Sequence, residues 1–216
     1  MILQGTETLT SLIHIISESL LTPVILILII FLVIVILSLG SFINEAISRK
    51  PIDSKELEKL IREISLSKPN DIKGIINNSN LFIYQKDILI KIANNHDIGI
   101  DARKALASKL IGEEELNLIK NTSKTDVLIR LAPILGLLGT LIPLGPGLAA
   151  LGSGDIATLA ESLIIAFDTT VLGLSIGAIA YLISKFKKQW YENDVSTVEA
   201  IAEAELESLN DGDFNA

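Results

Sequence analysis

The stretch VILILIIFLVIVILSL, residues 24–39, decides the fold: fifteen of its residues are apolar and the other is Ser38. With its flanks it reaches the ~20 residues needed to cross ~30 Å of hydrocarbon as a helix. A length of 216 residues would suit one soluble domain, but the distribution of the apolar residues rules that out. A cleaved leader would open on a basic segment, whereas Glu7 and Glu18 are the only charges upstream. The run therefore reads as a retained membrane span.

Two further charge-poor stretches follow at 131–151 and 162–184. All eighteen Lys and Arg residues lie either within 49–130 or at Lys185, Lys187 and Lys188. Residues 1–19 and the connection between the last two stretches hold none. Basic residues collect on the cytoplasmic side of membrane proteins. The expected topology thus has seven segments: an outer amphipathic segment 1–19, a first span 20–43, a cytoplasmic helical segment 44–130, a second span 131–151, an outer loop 152–161, a third span 162–184, and a cytoplasmic helix with an acidic tail over 185–216. The fold class is all-α integral membrane, in a cell (inner) membrane, with the N-terminus outside.

Composition excludes several functions. There is no cysteine, hence no disulfide scaffold or thiolate metal site. A net charge of −8 argues against nucleic acid, whose recognition needs a basic face. His14 and His96 fall on opposite sides of the membrane in this topology and cannot share a metal. No Lys occurs between 131 and 184, so the glycines of that region form no phosphate loop. No cofactor is called for, and the chain does not read as an enzyme. Eight acids and no base follow Lys188, which suggests a solvated tail. Trp190 and Tyr191, close to Lys187 and Lys188, resemble an interfacial anchor.

The 44–130 segment reads as several short helices. Asp53 and Glu56 have capping-box spacing, and Leu57, Leu60, Ile61 and Ile64 follow at helical period. Breakers stand at Ser67–Asn70, Asn77–Asn80 and Asn94–Asp97, with helices expected near 81–93, 101–111 and 113–122. Beyond the third span, Val195, Val198, Ala202, Leu206 and Leu209 form a narrow apolar stripe on a polar helix. The third span is expected to run on and pack there against copies of itself.

Chemistry is concentrated in the last two spans. Pro133, Pro143 and Pro146 remove backbone donors from the second, while Gly136, Gly139, Gly145 and Gly147 remove side chains. Such a span belongs inside a bundle, where neighbours satisfy freed carbonyls and approach closely at glycine. Gly145–Gly147 and Gly152–Gly154 read as the outer turn. Thr140 offers the polar side chain near the middle of the second span, and bonding to its own helix backbone is the simplest use of its hydroxyl. The third span carries Phe167-Asp168-Thr169-Thr170, then Gly173 and Gly177 at the spacing of close helix contacts. An ionised Asp at a span centre costs roughly 2.5–3.5 kcal/mol, so Asp168 should face protein or water, on a helix face shared with Glu161, Ile164, Leu172 and Ser175. Thr170 sits about 200° away around the helix. At ~1.5 Å per residue, Thr140 lies about 13 Å from the inner end of its span and Thr170 about 12 Å from the outer end of the next. Antiparallel spans bring both hydroxyls to nearly one level.

The segments Ala132–Thr140 and Ala166–Leu174 resemble the MotA/TolQ/ExbB proton-channel family, and the three-span topology is similar to its TolQ/ExbB branch. The resemblance implies a pentameric ring whose second and third spans line a pore. It also implies a single-span ExbD/TolR/MotB-like partner that presents a protonatable transmembrane Asp. A pore-facing threonine in each lining span maps onto Thr140 and Thr170, with Thr169 beside the latter. Where TolQ/ExbB members carry a Glu five residues before the third-span threonine, this chain has Ile165. Asp168 and Glu161 are the candidates to take over proton entry, and hydrogen bonding of Asp168 to a neighbouring subunit is the competing reading. Helix packing falls to Gly136, Gly139, Pro143, Gly173 and Gly177.

The expected function is the ring-forming stator subunit of a proton-motive-force-driven motor working at the cell envelope. Two alternatives stay open, an oligomeric membrane scaffold and a stand-alone small-cation channel.

Overall fold

The computed structural model describes the backbone of residues 2–95 and 98–214, and side chains within 9–209 apart from 69, 70, 96 and 97. His96 lies outside the described residues. Among the described residues seven helices run in order: α1 Ile2–Ser19, α2 Leu21–Ser48, α3 Ser54–Ser65, α4 Pro69–Asn78, α5 Ile83–Asn94, α6 Ile100–Gly152 and α7 Ile156–Phe214. No strand occurs among the described residues. Stretches of α2, α6 and α7 are long and apolar enough to cross a membrane.

The three Asn- and Ser-rich breakers coincide with the ends of α3, α4 and α5. The short helix α4, interrupted by Gly74 and rich in Asn, escapes the periodicity reading. The expected helices 101–111 and 113–122 are instead one with the second span, all within α6. Gly112 does not break it, since one glycine costs only about 1 kcal/mol in a helix flanked by strong helix formers. At the N-terminus of α3, Asp53 makes no side-chain cap bond. Glu56 accepts instead from Asn80 at 2.6 Å, which takes the capping box apart.

The connection between α6 and α7, expected as an outer loop over 152–161, is much shorter. Gly145–Gly147 is helical and α7 already starts at Ile156, so the turn is Ser153–Asp155. Gly154 supplies the positive φ of 82° that this turn requires. Asp155 then caps α7, accepting from the Thr158 backbone N–H at 3.1 Å and its hydroxyl at 2.6 Å.

The chain divides into two compact units. Unit 1 comprises Met1–Glu45 and Ser123–Lys185. Its buried apolar residues include Val24, Leu28 and Val35 of α2, Leu128, Ala132 and Ile142 of α6, and Ile176, Ala180 and Ile183 of α7. Leu26, Ile36, Leu37, Leu141 and Val171 point outward, as the surface of a lipid-embedded helix must.

Unit 2 comprises Ala46–Thr122 and Phe186–Ala216. Its core joins Leu60 and Ile64 of α3, Ile72 and Ile76 of α4, Leu89 and Ile92 of α5, and Val198, Ile201, Ala202, Leu206 and Leu209 of α7. The apolar stripe of α7 is therefore covered by helices of its own chain, where packing against other copies was expected. Nor is the acidic end wholly solvated, because Asp194 and Glu205 are buried. Trp190, expected as an interfacial anchor, forms part of a clasp on Asp194. Arg49 binds the Asp194 carboxylate, donates to the Trp190 carbonyl at 3.2 Å, and stacks over the Phe82 and Trp190 rings. Tyr84 also donates to Asp194, and Gln85 donates to the Asp194 carbonyl at 3.1 Å.

Candidate functional site

The site is a seam between α6 and α7 inside unit 1, built by residues too small to keep two backbones apart. A Cβ placed on Gly173 would sit 2.5 Å from the Ala132 carbonyl oxygen and 2.8 Å from the Gly136 Cα. One placed on Gly139 would sit 2.6 Å from the Thr169 Cβ, and one on Gly177 2.9 Å from the Pro133 Cγ. Further along, Gly147 meets Ser162 at 2.9 Å by the same measure. No side chain fits at these points, which is how two apolar helices gain van der Waals contact in lipid, where the hydrophobic effect gives no drive to associate.

The contacts obey a register of sevens. Ser184 donates to Asp126 at 2.6 Å, and Gly177 faces Pro133. One further step of seven along α6, and seven back along α7, makes Thr140 and Thr170 level. A seven-residue repeat keeps two helices in contact over several turns at a shallow crossing.

Thr140 donates to the Leu137 carbonyl at 2.6 Å and Thr170 to the Ala166 carbonyl at 3.1 Å. Each hydroxyl is thus satisfied as a donor on its own helix while its oxygen can still accept. Both threonines are half-buried at the margin of the seam. Thr169 is different: it is buried against Gly139, with its hydroxyl returned to the Ile165 and Ala166 carbonyls. Within the single chain it packs the two helices together. Pro143 is buried and Gly136, Gly139, Gly173 and Gly177 all lie in the contact. Asp168 and Glu161 stand together on the exposed face of α7, with Ile164 and Ser175. The single chain does not bring them to the threonine pair.

Pro133 adds a backbone feature. Without an N–H it leaves the Ile129 carbonyl lacking its helical donor. That oxygen lies 3.7 Å from where a Cβ of Gly177 would be. The seam therefore combines close packing with two threonine hydroxyls near one level and a carbonyl that Pro133 deprives of its helical donor.

The MotA/TolQ/ExbB proton channel family matches residues 86–200, more than half of the chain and all of this seam. This chain belongs to that family. It is accordingly an integral membrane protein of a channel and transport family. A protein of Methanothermobacter thermautotrophicus designated a homologue of the biopolymer transport protein ExbB is 30% identical over 89 residues. The match covers 41% of this chain and 32% of that relative, so this chain spans about a third of the relative's length.

Sequence reading missed the Asp126–Ser184 pair and the Arg49–Asp194 clasp. The first had a signal, since Asp126 precedes Thr140 by two sevens and Ser184 follows Thr170 by the same interval. The second had none, its partners being 145 positions apart.

Proposed function

We propose that this chain is the ring-forming subunit of a proton-driven stator of the TolQ/ExbB type. It would conduct H⁺ together with a single-span partner carrying a transmembrane Asp, and work at the cell envelope. The observation that carries this reading is the level pair Thr140 and Thr170 on two helices held together by glycine. Each hydroxyl can accept from a protonated carboxyl, or turn to donate to an ionised one, without trapping either state. In this reading α6 and α7 line the pore, with residues 1–19 and the 153–155 turn outside and the 44–130 segment in the cytoplasm, as the basic residues favour.

The exposure of Asp168 and Glu161 supports assembly into a homo-oligomer. A carboxylate on an otherwise apolar span is costly toward lipid and tolerable toward protein or water. In a pentamer this face meets a neighbouring copy or the lumen, and the two acids serve proton entry.

The test is native mass spectrometry of the complex purified gently from its own membranes, followed by proton flux in liposomes. Five copies with two of a single-span chain are expected, and a homo-oligomer alone would overturn the stator. Thr170→Val should cut partner-dependent flux at least tenfold with assembly intact. Unchanged flux in Asp168→Asn would remove that residue from proton entry.

A further inference from the structure

Two sevens inward from the threonine pair, the same stripe of α6 and α7 ends on a carboxylate held by a hydroxyl. Ser184, buried in unit 1, donates to Asp126 Oδ1 at 2.6 Å, and Asp126 is half-buried. Fourteen residues at ~1.5 Å each put this pair about 21 Å from Thr140 along the helix. Lys124 and Arg130 flank Asp126 in sequence and Lys185 follows Ser184. This is where the apolar part of both helices gives way to charge. Between the two polar levels, at the intervening step of seven, lie Pro133, Gly177 and the freed Ile129 carbonyl. The stripe thus has polar atoms at three successive heptad levels, while the flanking Leu131, Ile134, Leu137 and Leu138 are exposed and apolar.

We infer that Asp126, held in place by Ser184, is the inner exit station of the proton path. Its carboxylate takes the proton arriving past the Ile129 carbonyl through water and releases it to the inner aqueous phase. Steps of about 10 Å between levels, seven residues each, are too long for direct transfer and call for water between them. Ser184 is a positioning residue, since its hydroxyl donates to the carboxylate and fixes the rotamer. The bonded partner on the opposite helix assigns this carboxylate to the α6–α7 seam.

The inference rests on the proton-conducting reading above, and the experiment separates the two. Flux is measured in liposomes containing the native complex, for wild type, Asp126→Asn, Asp126→Glu and Ser184→Ala, with oligomeric mass determined for each. Asn keeps an oxygen that accepts from Ser184 but cannot titrate. The expected result is wild-type mass with at least a tenfold loss of flux in Asp126→Asn, recovery of a substantial part in Asp126→Glu, and a smaller loss in Ser184→Ala. A purely structural pair would give the reverse order, with Ser184→Ala worse than Asp126→Asn. That order, or wild-type flux in Asp126→Asn, overturns the exit station and leaves the channel standing. A wild-type complex that conducts no protons overturns the channel reading, and the exit station with it.

Discussion

Unit 1 and unit 2 solve the same packing problem with opposite residues. In unit 2 the contact is made by large side chains, with Ile64, Ile72, Ile76, Leu89, Ile92 and Ile201 entirely buried. Burying each such side chain from water contributes about 1.5–3 kcal/mol. In unit 1 large side chains such as Leu26, Ile36, Leu37 and Leu141 point outward while Leu28, Leu128 and Ile176 are buried, and the closest helix contact belongs to Gly136, Gly139, Gly173 and Gly177. Lipid gives Leu and Ile no reason to leave it, so only close approach and hydrogen bonds distinguish one arrangement from another. The difference teaches that one sequence can obey two solvents: where the surroundings are water, size drives burial, and where they are hydrocarbon, absence of size permits contact.

The largest single-residue effect is expected at the clasp of unit 2. The Arg49–Asp194 ion pair is nearly dry, with side chains 10% and 6% exposed. Asp194→Ala would leave both Arg49 and Tyr84 without this acceptor, at a cost of about 3–5 kcal/mol. Chemical denaturation following Trp190 fluorescence should show that loss, and a change below about 1 kcal/mol would mean the clasp is only a surface pair.

In unit 1 the corresponding change adds a single carbon. Gly173→Ala drives a Cβ against the Ala132 carbonyl and the Gly136 Cα, both backbone, which cannot rotate away. Overpacking of this kind costs about 1–3 kcal/mol. The expected outcome is a lower melting temperature in mild detergent. Gly145→Ala, with nothing within 4 Å, should be near neutral or slightly stabilising. Equal melting temperatures for the two variants would remove the glycine seam as the basis of unit 1.

The last effect is the most specific. Glu205 is 0% exposed in unit 2. Burial pushes its carboxyl up to about 8 from 4.5, with Arg103 opposing the shift. Because the folded state binds this proton more tightly than the unfolded chain, its contribution to stability is fully present below pH 4.5 and is lost as pH rises through about 8. One such group gives a slope of about 1.4 kcal/mol per pH unit within that window. Glu205→Gln should flatten the slope. A variant with the wild-type pH dependence would show that Glu205 does not titrate on unfolding.

Much of this was legible beforehand for a simple reason: spans, breakers and the levels of Thr140 and Thr170 depend only on runs of residue type and on helical rise. The fused α6 and the three-residue turn between α6 and α7 were not, because Gly112, Pro143 and Pro146 read as local interruptions. Their cost is offset by packing that a linear reading cannot weigh. Thr169 and Thr170 look equivalent in the sequence, and only the presence of Gly139 opposite makes one a packing residue and leaves the other at the margin.

By itself, then, the sequence determined the all-α class, the three spans and the family motifs, since these follow from hydropathy and spacing along one dimension. The tertiary structure alone decided the register of sevens between α6 and α7, the pairing of Ser184 with Asp126, and the burial of Asp194 and Glu205. Those depend on which residues from distant parts of the chain share one small volume, and close packing rather than any local preference chooses them.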